Sequence, residues 1–388
     1  MRKCAVFSNF VWFSRLFLKT VNKYPNIKLM TAQKKATLIL EDGTKFEGYS
    51  FGADKACSGE VVFNTGMTGY PESLTDPSYL GQILVSTFPL IGNYGVPSRK
   101  EELNNMSEYL ESEKIHPEAI VCQDYSWDYS HWQATSSLSE WLKEEHVVGI
   151  YGIDTRALTK VLRDKGSMLG KIIVEGCQDV DFYDPNKENL VGKASCKQVI
   201  EYGIGNAKKV VLVDCGVKNN IIRCLLNRGA HVIRVPWDYD FTTIDYDGLF
   251  ISNGPGNPDF AEATVSNIKK AFEIGKPICG ICMGNQLLSK AAGAKIFKLK
   301  YGHRSQNQPV REVGTNHCFV TSQNHGFAVD TTTLGSDWTP YFENMNDGTN
   351  EGIKHKTKPF FSTQFHPEAC GGPTDTEFVF DIFMDSLK

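Results

Sequence analysis

Residues 276–295, KPICGICMGNQLLSKAAGAK, set two cysteines three apart among glycines and apolar side chains. Four kinds of chemistry suit that pattern: a redox pair, half of a zinc site, a buried strand that happens to hold sulfur, or a turn that presents one thiol as a nucleophile. A redox pair needs a low-pKa thiol exposed at a helix start, yet Cys279 falls inside the apolar run PICGI, where it should be buried. A zinc site needs two more ligands at a fitting spacing. No second C-x-x-C and no H-x3-H occurs, so no metal is expected. A buried strand accounts for Cys279 alone.

Gly280-Ile281-Cys282-Met283-Gly284 has the G-x-C-x-G form of a nucleophile elbow, in which a strand ends, the chain turns sharply and a helix begins. Glycines flank the thiol because neighbouring backbone comes close at such a turn. The helix N-terminus favours a thiolate, and the amide after the nucleophile can face a developing oxyanion. A thiolate needs a base. Of nine histidines, His366 stands at the end of an apolar run in FFSTQFHPEAC, with Glu368 two residues on. A carboxylate there can hold one imidazole nitrogen while the other serves the thiol. H-x-E alone is weak, since a histidine at a strand end is more often structural. Behind an elbow in the same domain it is persuasive.

The elements that must position these groups fall into two regions. ATLILEDGTKFEGYSFG reads as a hairpin around Asp42-Gly43, and GEVVFNTG and GQILVSTFPLIGNYG supply further strands. Two helices follow around a short strand in residues 131–166, so this region is mixed α and β. Residues 191–207 lose periodicity and end in glycines, which suggests a linker. Beyond it KKVVLVDCG, AHVIRVP, YDGLFISNGPG and KPICGI alternate with helices of about ten residues, the rhythm of a doubly wound parallel sheet. Sites in such sheets form at the carboxyl ends of strands, where SNGPGNP and CMGN both lie.

Composition is ordinary for a soluble protein of 388 residues and two domains, and a net charge of −4 gives no global reason to expect nucleic-acid binding. No run of about twenty apolar residues suggests a membrane span. Residues 1–35 hold eight basic residues and no acid, with Phe10, Phe13 and Phe17 at helical spacing. That reads as a mitochondrial presequence and places the protein in the matrix, with the cytoplasm as the alternative. Eleven scattered cysteines read as reduced thiols.

GICMGNQLLSKAAGAK, TSQNHGFAVD and STQFHPEACGGPTDTEFVFD resemble the triad-type, class I glutamine amidotransferases. YGHRSQNQPV narrows the resemblance to the glutaminase subunit or domain of carbamoyl-phosphate synthase. LEDGTKFEGYSFG, GEVVFNTGMTGYPESLTDPSYLGQI and YGIDTRALTKVLRDKG resemble that family's N-terminal domain. The resemblance runs from about residue 36 to 388, and VKNN, DPNKEN and NDGTNEG look most like the mitochondrial, urea-cycle lineage. Much of that lineage has lost the cysteine and uses free ammonia; this chain keeps it.

The resemblance implies a fold of two α/β domains, 36–190 and 208–388. It implies Cys282 as nucleophile, His366 as base and acid, and Glu368 as the carboxylate that orients it. It assigns the oxyanion amides to Gly254 and Met283, and glutamine binding to Gly254, Gly256, Gln286, Asn324, Gly326 and Phe327, with Ser78 reaching in from the first domain. His325 and His303 receive no triad role. Asn285 departs from the family, which usually has histidine there. Glutamine and a synthetase chain or domain are the implied partners. No cofactor is expected on this chain, because no G-x-x-x-x-G-K-[ST] occurs; ATP and magnesium are expected only on the synthetase. The rival readings are a stand-alone glutaminase and a non-enzymatic regulatory relative that kept the fold.

Overall fold

The computed structural model describes residues 33–100 and 102–387; the basic segment 1–32 lies outside them. Seven strands of the first region close into a barrel: β1 (Lys35–Leu40), β2 (Lys45–Ser50), β3 (Cys57–Asn64), β4 (Gln82–Ser86), β5 (Ala119–Val121), β6 (Val148–Tyr151) and β7 (Met168–Val174), in the order β1-β7-β3-β4-β5-β6-β2. β3, β4, β5 and β6 run parallel and the other pairings are antiparallel. The hairpin of β1 and β2 is the one expected around Asp42-Gly43. Closure is not visible in the periodicity, but it explains it: β7 alternates buried and half-buried residues along its whole length, because every second side chain fills the barrel. Leu38, Val61, Ile83, Val121, Ile150 and Ile172 meet inside.

The second region is one ten-stranded sheet. Its strands are β8 (Ile200–Tyr202), β9 (Lys208–Asp214), β10 (Ala230–Pro236), β11 (Gly248–Ile251), β12 (Ile278–Ile281), β13 (Lys295–Glu312), β14 (Cys318–Asp330), β15 (Trp338–Asn344), β16 (Asn350–His355) and β17 (Phe360–Thr363). The order is β8-β10-β9-β11-β12-β17-β16-β15-β13-β14. The five from β10 to β17 are parallel, as the uninterrupted apolar runs predict. On β9, Val210 and Leu212 join the apolar layer on one face while Val211 and Val213 join the layer on the other.

Two features differ from the sequence reading. The sheet continues beyond β17 into a four-stranded antiparallel half, whose long strands β13 and β14 interleave polar and apolar residues and so lack an unbroken apolar run. The expected linker also contributes structure: β8 pairs antiparallel with β10, through contacts of long sequence range that local composition does not encode.

Helices α1 (Asn219–Asn227), α2 (Glu262–Ile274), α3 (Met283–Ala291) and α4 (Phe378–Ser386) cover the sheet. Phe250 of β11 stacks on Phe380 at 5.6 Å and meets Phe383 edge-on at 5.1 Å, fixing α4 to the sheet. Because Phe250 is fully buried, its replacement by alanine leaves a cavity. Phe250→Ala is expected to cost about 3–5 kcal/mol, read as a lower urea midpoint at an unchanged m-value.

Candidate active site

The turn between β12 and α3 is built by exclusion. A Cβ on Gly280 would stand 2.6 Å from the carbonyl oxygen of Gly284, and one on Gly284 would stand 2.2 Å from that of Ile251. Only glycine lets the three segments approach so closely. Cys282, between them, has φ 54° and ψ −101°, a conformation that costs a non-glycine residue roughly 1–3 kcal/mol. The surroundings over-determine it: the Cys282 N–H donates to Thr363 O at 2.8 Å, and the Gly284 N–H to Ser252 O at 3.0 Å. The thiol stands 3.6 Å from the carbonyl oxygen of Asn324. Met283 opens α3, so its N–H has no acceptor within the helix. Cys279 is fully buried on β12, and burial pushes its thiol well above the usual range.

His366 is delivered just beyond β17, where its backbone pairs with Ser322 of β14. Its Nδ1 lies 2.6 Å from Glu368 Oε1, while Nε2 is buried without a hydrogen-bond partner. Burial works against the imidazolium, but Glu368 first and Cys282 next outweigh it and lift the imidazole to about 10. Burial likewise opposes the charge on Glu368. Lys218, then His366, overcome that and hold the carboxyl at about 2.

Lys218 was not foreseen. It is 6% exposed and donates to Glu368 at 2.9 Å, with Glu111 of the first domain 3.7 Å from the same ammonium. Arg223 lies 3.4 Å from the other oxygen of Glu111. The His366–Glu368 pair thus ends in an alternating chain of charges that crosses between the domains. The available signal was position: Lys218 follows the carboxyl end of β9, where sites in such sheets form.

Beside the thiol lies a cavity of about 480 Å³, open solvent included. Cys282, Ser78, Gly254, Gly256, Met283, Gln286, Asn324, Gly326 and Phe327 all line it. His366 borders an adjoining cavity together with Lys218 and Asn324. Gly254 packs so tightly that a Cβ would stand 2.1 Å from Cys215 O. Ser78 accepts a bond from Asn253 at 3.0 Å, and Asn324 donates to Asp76 at 2.9 Å, so first-domain residues help to set the cavity wall. Gln286 donates to Phe327 O and Gln364 at 3.3 Å, leaving its own Oε1 buried and unpartnered. Glu60, Lys298 and Arg304 also line the cavity; Lys298 bonds Glu60 across the domain boundary at 2.6 Å. Asn285 lies outside the cavity lining but shares the Gln364 acceptor with Gln286. It is fully buried and bonded to Gln364 and Ser362, bracing α3 against β17.

Lys218→Met removes the cation that holds Glu368 down. A group whose folded pKa is depressed is lost as pH falls through that value, so raising the value moves the loss to higher pH. The acid limb of Cys282 alkylation by iodoacetamide is expected to shift upward by about 1–2 pH units, the usual effect of an adjacent opposite charge. An unshifted limb would show that Lys218 does not act on the triad.

Residues 38–172 match the family described as carbamoyl-phosphate synthase small chain, CPSase domain, and residues 211–386 match glutamine amidotransferase class-I. The mouse protein named carbamoyl-phosphate synthase (ammonia), mitochondrial, is 53% identical over 369 residues, covering 94% of this chain and 24% of the relative. Multifunctional protein pyr1-3 of Dictyostelium discoideum is 52% identical over 92% of this chain and 17% of its own length. Multifunctional protein CAD of Squalus acanthias is 52% identical over 91% of this chain and 16% of its own length. The chain therefore spans about a quarter or less of these relatives. With the two matched segments in this order around the shared cavity, the chain belongs to the carbamoyl-phosphate synthase small-chain family, its second domain a class-I glutamine amidotransferase.

Proposed function

We propose that the chain hydrolyses L-glutamine to glutamate and ammonia and delivers the ammonia to a carbamoyl-phosphate synthetase chain or domain, which combines it with bicarbonate at the expense of ATP. The observation that carries this reading is the strained Cys282 elbow, opening on one cavity with Ser78, Gly254, Gly256, Gln286, Asn324, Gly326 and Phe327. In this mechanism His366, lifted well above neutrality, already holds the thiol proton, and the Cys282 sulfur attacks the carboxamide carbon as a thiolate. The tetrahedral oxyanion is held by the amides of Gly254 and Met283. Collapse expels ammonia, protonated by His366, and leaves a thioester. Water, activated by the same imidazole, attacks the thioester to give glutamate and the free thiol. Glu368, held ionised by Lys218, stabilises the imidazolium at both steps. The cavity's exposed backbone and the Gln286 amide suit the zwitterionic head of an amino acid. No ATP chemistry is assigned to this chain.

The retained thiol favours glutamine over free ammonia as the nitrogen source. Ammonia released without an acceptor is lost, which favours a glutaminase that works poorly alone; a misplacement of about 1 Å can cost roughly 10²-fold. His325, toward the expected interface side, is assigned to this coupling. Ammonia release from excess glutamine tests the scheme. Cys282→Ser is expected to lower it by about 10³-fold or more, and Cys279→Ser to leave most of it. Adding purified synthetase, bicarbonate and ATP should raise the wild-type rate by about 5–150-fold, the usual scale of coupling. Equal losses from both cysteine changes would reverse the assignment of the nucleophile. A chain fully active alone and indifferent to the synthetase would be a stand-alone glutaminase.

We further infer a mitochondrial matrix location, supported by the basic, acid-free segment 1–35 and by the mouse relative's name. Among the described residues no helix is long and apolar enough to cross a membrane. Residues 1–35 fused to a reporter are expected to carry it into mitochondria; a diffuse cytosolic reporter would transfer the assignment to the cytoplasm.

A further inference from the structure

His303 and His325 take no part in the triad, yet the structure buries them together. Their rings meet edge-on at 4.9 Å, on facing positions of β13 and β14, and Glu351 of β16 completes a buried trio. One ligand atom from each of the three lies within 4.8 Å of the others.

The hydrogen bonds around the trio decide which atoms remain available. His303 Nε2 lies 2.8 Å from Asp347 Oδ2, so that nitrogen carries the donated proton and Nδ1 keeps its lone pair. Nδ1 is buried without a partner, 3.6 Å from Glu351 Oε1. Glu351 is fully buried; its Oε1 accepts from Asn344 at 2.8 Å and its Oε2 has no partner. His325 Nδ1 donates to Phe327 O at 2.8 Å, which leaves Nε2 as the lone pair. That lone pair faces Gln323 Oε1 at 3.1 Å, while the Gln323 amide nitrogen is engaged with Thr321 at 3.2 Å. Two acceptors confront each other in a buried interior, beside the unpartnered His303 Nδ1 and the Glu351 carboxylate, whose Oε2 has no hydrogen bond of its own. Buried acceptors without donors are costly, and one cation placed among them satisfies all four.

We propose that His303 Nδ1, His325 Nε2, Glu351 and Gln323 Oε1 bind one divalent transition-metal ion behind the strand that lines the glutamine cavity. The donor set selects the ion class. Two imidazoles with two oxygens suit zinc, cobalt or iron(II), whereas magnesium and calcium prefer oxygen alone. Bonds of about 2.0–2.1 Å put tetrahedral ligands roughly 3.3 Å apart, so the 3.6 Å and 3.1 Å pairs already stand near that spacing and the rest need a rotamer-scale adjustment. Asp347 behind His303, and the Phe327 carbonyl behind His325, are the outer partners that fix ring tautomer and orientation at metal sites. Asp347 and Glu351 together offset Arg304, the guanidinium that acts on His325. Gln323 and His325 alternate along β14 with Asn324 and Gly326 of the cavity wall, which His325 itself also borders. An ion on the first pair therefore pins the strand that carries the second.

The test uses the whole chain, stripped with a chelator and titrated with cobalt(II), then displaced with zinc(II). One cobalt per chain is expected, with the intense visible d–d bands of a tetrahedral site and no thiolate charge-transfer band, unchanged in Cys282→Ser. Proton NMR of the wild-type cobalt form should show two shifted exchangeable imidazole protons, one on Nε2 of His303 and one on Nδ1 of His325. This readout needs no variant to fold. Glu351→Gln should weaken binding by 100-fold or more, and Asp347→Asn by about 10–100-fold, as outer-partner losses do, each with the wild-type far-ultraviolet circular dichroism. The proposal is overturned by no binding at 100 µM cobalt, about two orders of magnitude above a micromolar site. That result would mean a doubly protonated His303 bridges Asp347 and Glu351 instead. It is equally overturned by binding that depends on Cys282, or by the absence of shifted imidazole protons.

Discussion

The elbow of the site depends on one backbone constraint, the positive-φ conformation of Cys282. It is unfavourable in isolation and persists because Gly280, Gly284 and the carbonyls of Ile251 and Thr363 leave no other path from β12 into α3. The turn lifts the thiol out of the sheet, frees the first amide of the helix and sets the start of α3, from which Gln286 and Asn285 take their directions. Relaxing it would displace the thiol, the first amide of the helix and the Gln286 side chain together.

Electrostatics supply the second layer. A carboxylate as deeply buried as Glu368 would ordinarily be neutral. Lys218 keeps it ionised, and Lys218 in turn needs Glu111, which is balanced by Arg223. Each charge in the chain is affordable only because of the next. Such networks contribute little net stability but fail badly when one member is removed, so their value here is orientation: they hold one imidazole in one tautomer at a fixed place.

The local parts of this arrangement were legible in the sequence. Short-range rules placed the elbow, because glycine and cysteine types at fixed spacing reflect a steric requirement within five residues. The parallel strands were legible because burial on both faces demands an unbroken apolar run. The cavity residues came through resemblance rather than pattern: nothing in DPSY says that Ser78 reaches a thiol two hundred residues away. Lys218, Glu111 and the pairing of His303 with His325 were missed because their partners lie on other strands or in the other domain. Barrel closure, the strand within residues 191–207 and the antiparallel half of the second sheet were missed for the same reason. Strands of mixed polarity such as β13 and β14 announce themselves only through what they pair with.

The charge chain through Glu111 also bears on how separable the two domains are. An amidotransferase domain cut from the barrel would expose Lys218 and Arg223 without their counter-ion and leave Asn253 and Asn324 facing solvent where Ser78 and Asp76 had been. The domain boundary runs through the cavity and the charge chain instead of around them. Chimeras that graft this barrel onto another amidotransferase would have to transplant the acid and its two cations as a set. The two domains of this chain are thus one structural unit, not a pair of exchangeable modules.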